Sequence, residues 1–191
     1  QKKFPNSEAL QINKIRILIS ENEFENALMY IKEVSSKETI SSNYERILLD
    51  LKADALVKLS RFDQALAVID HIMLAPKSNP IYYLKKANIL TIEGNHKDAV
   101  KLLATALNQH KLPINLQHDA VLMMRDIEIA NWQKFSEFML IDTTFKDDVL
   151  LNPIYALESR GIVLPHNNIQ RVIDVVKKQR STSIQTEQGI S

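Results

Sequence analysis

A five-residue pattern occurs three times in this chain: Phe24-Glu25-Asn26-Ala27-Leu28, Phe62-Asp63-Gln64-Ala65-Leu66 and His96-Lys97-Asp98-Ala99-Val100. The alanines stand 38 and then 34 residues apart, and the four extra residues fall in the polar stretch 35–43, which reads as a lengthened loop. Self-similarity at a period of this size constrains the fold more than any other feature. A unit so short cannot cover its own apolar face, so it has to stack on its neighbours.

Each unit reads as two helices. Four residues beyond each alanine comes a large aliphatic, Ile31, Ile69 or Leu103, and three further on come Val34, Ile72 and Ala106 on the same helical face. Upstream lie Ile12, Ile15 and Leu18, then Leu49, Ala53 and Leu56, then Tyr83, Ala87 and Leu90, a second helical pattern in each unit. The break between the two falls at Ser20-Glu21-Asn22, at Ser60-Arg61 and at Glu93-Gly94-Asn95, where turn-forming residues interrupt the periodicity. Pro76, Pro80 and Pro113 follow second helices, which a ring without an N–H cannot continue. Asn79-Pro80 reads as a capping residue followed by a first-turn proline.

Close packing accounts for the spacing. Alanine belongs where the helices of a hairpin approach most closely, and the aromatic three residues earlier fills the gap beside it. Phe62→Ala is expected to cost about 3–5 kcal/mol, and enlargement of Ala65 roughly 1–3 kcal/mol.

On these residues the chain resembles the tetratricopeptide repeat family, whose helix-turn-helix unit of about 34 residues carries a turn, an alanine, a Phe-like position and a late proline. The resemblance covers residues 8–113 as three units, about 8–43, 46–79 and 80–113. It implies an all-α solenoid of hairpins. The first unit has Gln11 where the family has an aromatic, and only the third has the turn glycine, Gly94. At the small position of the first helix stand Ile15, Ala53 and Ala87, preceded by Lys14, Lys52 and Lys86.

Residues 114–180 are expected to form a helical capping region. Leu116 to Ile141 stays helical in pattern, with Val121, Leu122, Met124, Ile127 and Ile129 and then Trp132, Phe135, Phe138 and Met139, but the repeat register is lost. Asp142 to Asp148 reads as a short polar link, Ile154 to Ser159 as a brief helix stopped by Gly161, and Asn167 to Lys178 as an amphipathic helix. Residues 181–191 are polar and aperiodic, and read as a flexible tail. Asn131-Trp132 and Asn152-Pro153-Ile154-Tyr155-Ala156-Leu157 are similar to the region that leads into the catalytic part of O-linked N-acetylglucosamine transferases of the SPINDLY type. That similarity implies a substrate-docking arm whose nucleotide-sugar lobes would lie beyond this chain. The start at Gln1 likewise reads as that of a piece of something longer.

Chemistry is conspicuous by what the residues cannot build. The 24 Lys and Arg nearly balance the 23 Asp and Glu among 191 residues, which disfavours a nucleic-acid or polybasic membrane module. No cysteine is present, so neither a disulfide nor a thiolate metal site can form. Three glycines, Gly94, Gly161 and Gly189, do not suffice for a phosphate-cradling loop. His71, His96, His110, His118 and His166 show no metal-ligand spacing. His96 stands at the aromatic repeat position and is assigned a packing role; His110 and His118 read as solvated. No nucleophile elbow or kinase signature occurs, and the expectation is a non-enzyme with no cofactor, no metal, no nucleic acid and no membrane span, located in the cytoplasm.

In the repeat family the first helices line a concave groove that holds an extended peptide or a partner helix. The resemblance places Arg16, Asp50, Asp54, Lys58, Lys85 and Asn88 on that face. Asp50 and Asp54 lie one helical turn apart and share a face. Lys85 and Asn88 would clamp a peptide carboxylate or main-chain amide, although the two aspartates would repel an acidic C-terminus. The leading expectation is a non-catalytic scaffold that binds a protein or peptide partner. The alternatives are the glycosyltransferase docking region and a self-assembling element, a homo-oligomer joined through the open ends or an aromatic patch of Trp132, Phe135 and Phe138.

Overall fold

The structure is a computed structural model that describes residues 5–36, 40–75, 79–108 and 112–188, with side chains described from residue 7 to residue 181 within those limits. Pro76 and His110 lie outside the described residues. The described chain is all-helical: α1 (Pro5–Ser20), α2 (Phe24–Ser35), α3 (Ser42–Lys58), α4 (Phe62–Met73), α5 (Ile81–Ile92), α6 (His96–Asn108), α7 (Ile114–Ile141), α8 (Phe145–Leu151), α9 (Pro153–Ser159) and α10 (Ile169–Gln188), with a 3₁₀ turn at His166–Asn168 before the last helix. Helices adjacent in sequence from α1 to α9 pack on one another, and α1 also reaches α3 as α5 reaches α7.

The hairpins α1–α2, α3–α4 and α5–α6 close with the same backbone geometry. Asn22, Ser60 and Gly94 adopt left-handed conformations with φ of 62°, 57° and 77°. After each, an N–H reaches back to the leucine five residues earlier: Glu23 to Leu18 at 2.8 Å, Arg61 to Leu56 at 2.9 Å and Asn95 to Leu90 at 2.8 Å. The left-handed residues donate in turn to Ile19, Val57 and Thr91. These paired bonds satisfy carbonyls that the helix end would otherwise leave open. The turns recur at the 38- and 34-residue spacing of the alanines. A fourth turn of this kind, at Gly161 (φ 63°), ends α9 with Ile162 donating to Leu157 at 2.9 Å.

Ala27, Ala65 and Ala99 are all fully buried, as close helix approach requires. Ile15, Ala53 and Ala87 are buried as well. Phe24, Phe62 and His96 are only half-buried. The cost of Phe62→Ala therefore falls to about 1–3 kcal/mol, below that for a fully buried ring. Asn79 Oδ1 accepts from the Ile81 N–H at 3.0 Å, and Pro80, at φ −56°, takes the cap position just before α5 rather than a place in its first turn.

The C-terminal region departs from expectation in two places. The polar link at Asp142 to Asp148 is the beginning of α8, since Asp142 Oδ1 accepts from the N–H groups of Thr144 (3.0 Å) and Phe145 (3.1 Å) and so starts a helix. Residues 181–188, read as a flexible tail, continue α10; residues 189–191 lie outside the described residues. Phe135, Phe145, Val149, Leu157, Ile162, Val172 and Val176 form one core, with Trp132 and Phe138 packed at its edge. Phe135 is buried in this core, and Trp132 and Phe138 are half-buried against it.

Candidate functional site

Side-chain hydrogen bonds join α5 to α3, and three of the six expected groove residues meet there. Lys85 Nζ donates to Asp50 Oδ1 at 2.6 Å and to Asp54 Oδ1 at 2.8 Å. Asp50 and Asp54 are four positions apart on α3, so both carboxylates face one ammonium group. The Lys85 side chain is a quarter exposed, whereas Asp54 is nearly half exposed. The buried ring of Tyr82 lies beneath the ammonium, 6.0 Å from its centroid.

Burial pulls the Lys85 pKa down, but the hydrogen bonds to Asp50 and Asp54 outweigh it and leave the group above the ordinary lysine value. The Tyr82 phenol is pushed up by burial and by the neighbouring charge of Asp50. Lys85 is thus paired with two aspartates in this structure. Asn88, Arg16 and Lys58 are exposed and do not join the cluster. The constellation links α3 to α5.

A second polar centre, missed as such in the sequence, ties α7 to its neighbours. Asn131 is completely buried on the stripe Ile127, Asn131, Phe135 and Met139. Its Nδ2 donates to the Ile127 carbonyl at 2.7 Å, and its Oδ1 accepts from the Val163 N–H at 2.7 Å. Those backbone groups fix the amide orientation, so the contact from Nδ2 to His96 Nδ1 at 2.9 Å makes the ring nitrogen the acceptor and puts the imidazole proton on Nε2. His96 is half-buried and anchors the start of α6 to α7. A polar residue recurring at four-residue intervals with large apolar ones was the available signal.

Arg160 makes the third cluster. Its guanidinium, mostly buried, donates to Asp142 Oδ2 at 2.8 Å and to Asp148 Oδ2 at 2.7 Å, and its Cζ lies 4.7 Å from the Phe145 ring centroid. The bond from Arg160, with help from Thr144, holds the Asp142 carboxyl down at about 2. Asn131 and Trp132 serve the core, Trp132 lying against Phe135 at 5.5 Å and under Arg171 at 4.8 Å, while Asn152 Oδ1 caps α9 through the Tyr155 N–H at 3.2 Å. Each has a local structural task.

Among the described residues no three His, Asp or Glu side chains gather as a metal site, and no helix is long and apolar enough to cross a membrane. Comparison with protein-family models, with curated proteins and with solved structures found no match to this chain.

Proposed function

We propose that this chain is a non-catalytic interaction scaffold of the tetratricopeptide type, whose first helices α1, α3 and α5 present a partner-binding face. The observation that supports this most strongly is the recurrence of one hairpin turn at Asn22, Ser60 and Gly94, each followed by an alanine with no exposed surface. Stacking of such units produces an extended surface from rigid elements, which suits capture of a peptide segment.

The chemistry of the face follows from the Lys85 cluster. The Asp54 side chain is nearly half exposed and only one of its oxygens accepts from Lys85, so this point of the face suits a segment that brings a cation to Asp54. Arg16, Lys58 and Asn88 remain available for its other polar groups. This segment is of mixed charge and not an acidic C-terminus.

Lys85 is a poor position for a binding test because its replacement also loosens the α3–α5 contact. Lys58→Glu and Asn88→Ala alter the same face without removing a hydrogen bond. Selection of binders from a displayed peptide library, followed by fluorescence titration, should give peptides that lose affinity at least fivefold with each variant while the helical circular dichroism and thermal midpoint stay unchanged. Peptides that bind both variants as tightly as the parent protein would defeat the proposal for this face.

A further inference from the structure

Two grooves stand at equivalent positions in successive hairpins, and their comparison reveals an unbalanced charge among the described lining residues. One groove, of about 520 Å³, lies among α2, α3 and α4 and is lined by Leu28, Lys32, Glu45, Leu49, Lys52 and Leu56, among others. The next, of about 400 Å³, lies among α4, α5 and α6, and includes Leu66, Asp70, Lys86 and Leu90. These are the same positions one unit on: Leu28 corresponds to Leu66, Lys52 to Lys86, Leu56 to Leu90 and Lys32 to Asp70.

In the second groove Lys86 donates to Asp70 at 2.5 Å, and Lys101 and Asp98 keep the lining neutral overall. In the first, the aspartate is replaced by Lys32, and two lysines on facing helices share the cleft. Neither makes an ion pair among the described residues. Glu45, the one carboxylate in the described lining, pairs with neither.

We propose that the α2–α3–α4 groove is a second binding site, for a peptide segment that carries a carboxylate side chain beside an apolar one. The carboxylate takes the place of the missing Asp70 equivalent, between Lys32 and Lys52. The adjacent apolar side chain covers Leu28 and Leu49, each half-buried. Charge-assisted pairing supplies orientation, and the apolar floor supplies area that a bare inorganic anion could not use.

This site is independent of the face proposed above. Asp50 and Lys52 are two residues apart on α3, which is about 200° around the helix axis, so the two sites look in nearly opposite directions.

The test is a titration of ¹⁵N-labelled protein with a capped hexapeptide alternating leucine and glutamate, with the leucine–glutamine version, inorganic phosphate and dodecanoate as comparison probes. The glutamate peptide should shift the amide signals of Leu28, Lys32, Leu49 and Lys52, and the glutamine peptide should bind at least tenfold more weakly. Lys52→Glu should weaken the glutamate peptide at least tenfold. Asp70→Lys should create a new set of shifts at Leu66, Lys86 and Leu90, because it sets two lysines across the second groove where Lys32 and Lys52 stand across the first. Equal binding of both peptides, shifts confined to Lys58 and Asn88, or phosphate binding as strong as the peptide's would overturn the proposal. Binding of dodecanoate without the peptide would overturn it in favour of a lipid-like anion.

Discussion

Replacing Lys85 by methionine removes the charge and keeps most of the side-chain stem, so it isolates the electrostatic brace between α3 and α5. Two charge-assisted hydrogen bonds are lost, at 2.6 and 2.8 Å. Because the aspartates are a third to nearly a half exposed, water screens them, and each bond is worth about 0.5–1 kcal/mol. Asp50 and Asp54 are then like charges one turn apart, which adds about 0.2–0.5 kcal/mol. Lys85→Met should therefore lower the unfolding free energy by about 1–2.5 kcal/mol in urea at neutral pH and low salt, and by less at 0.5 M salt as screening grows.

The pH dependence has a definite sign. The folded-state pKa of Lys85 lies above its ordinary value of 10.5, so the stabilisation is complete below that value and is lost as pH rises through the folded value. The variant should lack this alkaline loss. A change below about 0.3 kcal/mol with no salt dependence would refute the brace and leave the three charges as ordinary solvated surface.

Other consequences concern the remaining clusters. Asn131→Ala strands the Val163 N–H and His96 Nδ1 and opens a small cavity, for a loss of about 2–4 kcal/mol in chemical denaturation; a loss under 1 kcal/mol would mean that water replaces the amide. Asp142, held at about 2 by Arg160 and Thr144, stabilises the fold above its ordinary pKa of 3.8, and that contribution disappears as pH falls from about 3.8 to about 2. Asp142→Asn should flatten the acid limb of the stability profile over that interval, and an unchanged limb would show that the carboxylate does not matter. Ser60→Gly should raise stability by about 0.5–1 kcal/mol, since φ of 57° strains a residue with a Cβ; a drop in the thermal midpoint would contradict it.

How far the fold could be read from sequence varied with how local the signal was. Turn residues and alanines at fixed spacing act within a few bonds, and both the hairpins and the buried methyl groups were legible. Start signals for α8 were present in Asp142 and in the Phe145–Val149 stripe, but the run Lys146, Asp147 and Asp148 between those two residues reads as a polar link. The helical run at 181–188 has almost no apolar period to disclose it. Among site residues, Asp50 and Asp54 share a face because a helical turn is a local relation, and both accept from Lys85. The engagement of Lys85 was not legible, because it depends on α5 lying against α3. The same distance hid the match between Lys32 and Asp70, which acquires meaning only when two grooves are compared.

The claim on which everything rests is that three small side chains set the spacing of three α-hairpins. It is tested most directly by urea unfolding of Ala27→Leu, Ala65→Leu and Ala99→Leu beside the exposed control Asn26→Leu. Each alanine is completely buried, so the account predicts a loss of about 1–3 kcal/mol for all three and a change within about 0.5 kcal/mol for the control. Three variants as stable as the control would contradict it.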